Sequence, residues 1–118
     1  IPADAGRAGL VLSLQRILLA ARAAGIPAFD GVYNRLTDDA GLAEQAREGR
    51  CYGFDGKSVI HPSQIDTVNR IFSPSEAELA AAAALIEAAS GGAQRHDGRM
   101  IEEMHVTQAR RLIARARQ

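Results

Sequence analysis

Several groups in this 118-residue chain have side chains and surroundings suited to chemistry. Lys57 follows Gly53-Phe54-Asp55-Gly56 and precedes Ser58-Val59-Ile60-His61-Pro62-Ser63-Gln64. That run combines a glycine-flanked turn, a short β-branched stretch and a His-Pro helix start. Asp97 lies in Arg95-His96-Asp97-Gly98-Arg99-Met100, an acid on a glycine-flexible loop between basic residues. An acid so placed suits a mobile general acid/base, while the bland reading is a plain Asp-Gly turn. Asp30 and Asp55 have milder claims, as a strand-end carboxylate and a turn residue, with Tyr33 and Arg35 on the same rim.

Some chemistries are disfavoured at once. A phosphate loop would need a glycine where Cys51 stands, and it would lead from strand to helix, whereas Lys57 leads into a strand. His61, His96 and His105 lack the paired helical spacing of a metal site. His61 is open to several readings: metal ligand, general base or helix cap. Its place between a strand and a helix start sets it where free N–H groups and the helix dipole favour anions.

The elements that must position these groups follow from spacing. Leu10, Leu14, Ile17, Leu18 and Ala21 recur at helical spacing, predicting a helix from about residue 5 to 24 that Gly25 ends. Residues 27–32 read as a buried strand. Thr37, Asp38 and Asp39 are N-cap types for a helix over 39–52, stopped by Gly53. Residues 57–60 read as a second strand, and His61-Pro62-Ser63-Gln64 opens a helix with stripe Ile65, Val68 and Phe72. Helix alternating with strand is the pattern of an α/β parallel sheet. Ser73-Pro74-Ser75-Glu76 reads as a capping box with Pro74 at the first helical position, for a helix running to about 89. A last helix is expected over 103–117, with no strand before or after these final helices.

Two parallel strands alone leave faces and edges uncovered, so further strands are expected from outside this chain or from a partner. Fourteen basic residues balance fourteen acidic ones, which gives nucleic acid and anionic membranes no purchase. Cys51 is the only cysteine, so no internal disulfide is possible, and no apolar run approaches bilayer-spanning length. With no signal-peptide pattern, a cytoplasmic protein is expected.

Residues 23–33, 53–65, 72–74 and 97–101 together resemble, in order and spacing, the C-terminal part of the citrate lyase beta-subunit-like family. That family includes malyl-CoA and citramalyl-CoA lyases. The resemblance implies the last two strands of a (β/α)8 TIM barrel with their helices over residues 1–73, plus a helical lid or extension over 74–118. A whole barrel takes roughly 250 residues.

It also implies magnesium-dependent cleavage or formation of a carbon–carbon bond in a 3-hydroxyacyl-CoA such as citryl-, malyl- or citramalyl-CoA. The partners would be an acyl-CoA thioester and a 2-oxo acid, and the Mg2+ ligands would lie upstream of residue 1. Ile60, His61 and Pro62 match the segment that the acyl-CoA passes. Asp97 matches the catalytic aspartate that reaches into a neighbouring subunit, so a homotrimer or hexamer with exchanged lids is expected. Arg99 stands where lysine is usual, and Glu102-Glu103-Met104-His105 departs from the commoner Asp-x-Pro ending. The competing reading is a non-catalytic fragment, or a subunit completing a barrel with another chain. A small helical adaptor would leave the two strands without purpose.

Overall fold

The computed structural model describes residues 5–92 and 94–116. It divides into two compact units, Ile1–Phe72 and Ser73–Gln118.

In the first unit, a 3-10 turn at Ala8–Leu10 leads into α1, Val11–Ala24. This start is later than the expected residue 5. Gly25 ends α1 at φ 70°, a left-handed conformation that glycine adopts without the clash a Cβ would bring. Strand β1 is Phe29–Asp30, α2 is Asp39–Tyr52, β2 is Gly56–Lys57, and α3 is Ile65–Phe72 after a 3-10 turn at Pro62–Gln64. Asp38 caps α2 by accepting the Gly41 N–H at 2.9 Å.

β1 and β2 pair in parallel, Phe29 opposite Gly56 and Asp30 opposite Lys57, with α2 as the crossover. Both strands are shorter than the sequence suggested, covering only part of 27–32 and of 57–60. Their ladder ends with Asp55 N–H to Ala28 O at 2.9 Å and Ser58 N–H to Asp30 O at 3.0 Å. With one neighbour each among the described residues, nothing extends the pairing through Ile60.

Alternation along β1 sorts its side chains. Ala28 and Asp30 are buried, whereas Phe29 between them is 63% exposed. The buried face packs a core of Leu18 and Ala21 from α1, Leu42 and Ala46 from α2, Phe54, and Val68 and Phe72 from α3. Ile65, expected in that stripe, is exposed, as are Leu10 in the 3-10 turn and Ile17 on α1.

The second unit opens with α4, Glu76–Ser90. The capping box is present, shifted by two residues: Ser75 is the N-cap, and its Oγ accepts from Glu78 N–H at 3.1 Å. Pro74 therefore precedes the cap instead of following it. A β-hairpin comes next, β3 Arg95–His96 against β4 Arg99–Met100, antiparallel. This corrects the expectation that no strand accompanies the final helices. Short polar strands carry no apolar alternation to betray them; only the Asp-Gly turn signal was visible. α5, Glu103–Ala116, packs on α4 through Ala82 and Ala109, the buried residues of the two helices. Small residues at both contacts let the two helix backbones approach closely.

Candidate functional site

Asp97 sits at the tip of the β3–β4 hairpin. Its φ is 50° and that of Gly98 is 72°, so both central residues have the positive φ that a two-residue type I′ turn requires. Aspartate tolerates this conformation better than most residues, and glycine adopts it freely. The Asp97 side chain is 89% exposed. Among the described residues His96 pairs with it most nearly, Nε2 to Oδ2 at 3.8 Å, too long for a hydrogen bond. The carboxylate is thus held forward by a backbone turn and left uncommitted by its neighbours. Behind it, a groove of 510 Å³ runs between hairpin and helices, floored by Ala81, Ala82, Leu85 and Leu112 and edged by His96 and His105.

In the first unit, His61 is the N-cap of the Pro62–Gln64 turn. Its Nδ1 accepts the Ser63 N–H at 3.1 Å, which leaves Nε2 to carry the proton of the neutral ring. Of the readings open for His61, the helix cap describes its local bonding. Pro62 occupies the first helical position, where its missing N–H costs nothing. Ile60, 50% exposed, and His61 both present their side chains to solvent beyond the end of β2. Among the described residues no three His, Cys, Asp or Glu side chains gather as a metal site, so the residues present do not fit a magnesium ion.

Asp30 and Lys57 turn out to serve the scaffold. Both side chains are fully buried between the strand pair and α2. Asp30 Oδ1 accepts from Arg7 at 2.5 Å and from the Gly31 N–H at 2.8 Å, and Oδ2 lies 3.3 Å from Lys57 Nζ. Lys57 also donates to Gly31 O at 2.6 Å and to Gln45 Oε1 at 2.5 Å, so its three protons are all engaged. Arg7 reaches Glu48 as well. Two cations thus face two carboxylates. Burial pushes the Lys57 ammonium below its usual pKa, against the pull of Asp30. Burial also opposes the charge on Arg7, but the hydrogen bonds and charges of Asp30 and Glu48 outweigh it and raise its pKa.

Asp55 is likewise structural, at the opposite, entry end of the strands. It accepts from the Ala28 N–H at 2.8 Å and pairs with Arg22 at 3.0 Å. Tyr33 donates its hydroxyl to Asp38 Oδ2 at 2.6 Å, which raises the tyrosine pKa and lowers that of the aspartate. The sequence reading missed Arg7, Gln45 and Glu48 as members of the buried cluster. Gly49 was the available signal: a glycine inside a helix marks a close approach, and a Cβ there would collide with Asp30 Oδ2.

The comparisons name the family. A profile described as "C-C_Bond_Lyase of the TIM-Barrel fold" matches residues 14–118. A (3S)-malyl-CoA thioesterase of Cereibacter sphaeroides (strain ATCC 17025) is 44% identical over 117 residues, covering 93% of this chain and 41% of that protein. The citrate lyase subunit beta of Escherichia coli (strain K12) is 38% identical over 106 residues, covering 85% of this chain and 35% of the relative. Among solved structures, protein CitE from Mycobacterium tuberculosis, in complex with magnesium, acetoacetate and coenzyme A, superposes with a TM-score of 0.85. It shares 34% identity, with 100% of this chain and 45% of that one covered. The chain belongs to the citrate lyase beta-like family of TIM-barrel carbon–carbon lyases. It spans about two fifths of the length of these curated relatives.

Proposed function

We propose that this chain is the C-terminal portion of a magnesium-dependent lyase that cleaves or forms the carbon–carbon bond of a 3-hydroxyacyl-CoA. Residues 1–73 supply the last two barrel strands with their helices, and residues 74–118 a lid. The exposed Phe29 and the solvent-facing apolar residues of α1 fit a sheet and helix layer completed by the rest of a barrel. A magnesium ion would be held by residues that this chain does not supply, and it would contribute Lewis-acid chemistry there. Ile60, His61 and Pro62 line the passage of the thioester. The CoA seen with CitE supports a thioester substrate.

The observation that carries the proposal is the Asp97 carboxylate, projected on a type I′ turn with no salt-bridge partner within hydrogen-bonding distance among the described residues. Cleavage needs a proton removed from the 3-hydroxyl and one delivered to the acetyl carbon, and condensation needs the reverse. Asp97 provides the acid/base group, delivered to a neighbouring subunit of a cytoplasmic trimer or hexamer. Asp97→Asn in the intact protein should lower turnover about 10²–10⁴-fold while the thioester still binds. Unchanged turnover would remove Asp97 from the mechanism.

A second reading is thioester hydrolysis, favoured by the name of the Cereibacter sphaeroides relative. Product analysis separates the two. Lysis of malyl-CoA yields acetyl-CoA and glyoxylate, whereas hydrolysis yields malate and free CoA thiol. Magnesium-independent inactivity of the intact protein on both would favour a non-catalytic subunit that completes a barrel with another chain.

A further inference from the structure

The loop that leaves β1 is held by side chains from the next strand–helix unit. Lys57 Nζ donates to the Gly31 carbonyl at 2.6 Å, and Gln64 Nε2 donates to the Tyr33 carbonyl at 2.8 Å. Gln64 has a second bond: its Oε1 accepts the Ile60 N–H at 2.9 Å. One amide, in a residue only 2% exposed, therefore joins position 33 to position 60. Its orientation is forced, because reversing it would set carbonyl against carbonyl and N–H against N–H. The strand pairing ends with the Ser58 N–H on Asp30 O, so beyond it Ile60 depends on this side chain for its backbone tie. The side chains of Ile60 and His61 are themselves solvent-facing.

We infer that Gln64 is a positioning residue, whose buried amide sets the Ile60–Pro62 segment at a fixed distance from the loop after β1 without itself touching the thioester. The inference rests on the proposal that Ile60–Pro62 line the thioester passage. It assigns Gln64 a place in substrate affinity that its position inside a helix start does not suggest.

The test measures KM and kcat of the intact protein on its acyl-CoA substrate for Gln64→Met, Gln64→Glu and Ile60→Ala. Gln64→Met keeps the length and loses both bonds. It should raise KM about tenfold, the scale of a lost hydrogen bond or two, with kcat within about threefold. Gln64→Glu is conditional. As a carboxylate it opposes the Tyr33 carbonyl, but as a neutral acid it has the donor and acceptor of the native amide. Burial raises such a carboxyl toward neutrality. Its KM, divided by that of the wild type at the same pH, should therefore fall from about tenfold near pH 8 toward unity near pH 6. A merely structural role would not give that return. The glutamate variant at the lower pH also covers the case in which Gln64→Met does not fold. A KM within about twofold of the wild type for folded Gln64→Met, or for the glutamate variant at a pH where its carboxyl is ionised, with Ile60→Ala raising KM, overturns the role of Gln64. An unchanged KM in Ile60→Ala overturns instead the thioester reading on which it rests.

Discussion

The buried charge cluster offers the sharpest test of how this scaffold is held. Asp30 and Lys57 are fully buried side chains with 3.3 Å between Oδ2 and Nζ. At an effective dielectric near 20, that separation corresponds to a gross attraction of about 5 kcal/mol, most of which repays the loss of hydration. Removing one member strands the other. Asp30→Asn keeps the shape but leaves Lys57 with only the neutral oxygens of Gly31 and Gln45. Arg7 retains Glu48. The expected cost is about 3–5 kcal/mol, a large share of the 5–15 kcal/mol that typically holds a protein folded. With a urea slope of about 1–3 kcal/mol per molar, the midpoint of the transition involving this unit should drop by roughly 1–5 M. Lys57→Met on top of Asp30→Asn removes both buried charges. The double variant should be more stable than the sum of the singles predicts, by about 0.5–3 kcal/mol. A single-variant loss below about 1 kcal/mol, or strict additivity, would show that the cluster is solvated and that its charges do not couple.

Three further outcomes are expected. Gly49→Ala places a methyl against the Asp30 carboxylate and should cost about 1–3 kcal/mol in thermal or urea unfolding; an unchanged midpoint would mean that the carboxylate can swing aside. Ser75→Ala should destabilise α4 by about 1 kcal/mol through loss of the Glu78 N–H acceptor, measurable as faster amide exchange in its first turn. Tyr33→Phe should lower stability at neutral pH, because the hydroxyl holds the Asp38 pKa below its ordinary 3.8. A depressed folded-state pKa gives stability that is present above 3.8 and lost as pH falls through the lower folded value. The gap between wild type and Tyr33→Phe in urea midpoint should therefore close in acid, and a gap independent of pH would show that the bond is not coupled to ionisation.

Local signals made much of the fold legible. The bounds of α2 follow from Asp38 as cap and Gly53 as stop, and both are visible in the chain. The His61-Pro62 start of the turn before α3 is likewise local chemistry. Ambiguity entered where a local pattern repeats. Ser73 with Glu76 and Ser75 with Glu78 satisfy the same capping rule two residues apart, and the choice depends on where the first helical turn closes. The β3–β4 hairpin escaped because its four residues are too few and too polar for alternation to register.

The sequence by itself determined the order of the helices and of β1 and β2, the Asp-Gly turn that presents Asp97 and the family that these stretches resemble. These depend on contacts between residues a few positions apart, which composition and spacing encode directly. Only the tertiary structure decided the roles of Asp30, Lys57 and Gln64. A carboxylate at a strand end looks the same in sequence whether it faces a substrate or a buried arginine 23 residues away. Arg7 joins Asp30 to Glu48, Lys57 joins Asp30 to Gln45, and Gln64 spans 31 positions to reach Tyr33. Such distances along the chain close only when α2 and α3 pack on the strand pair, so no reading of neighbours could have assigned them.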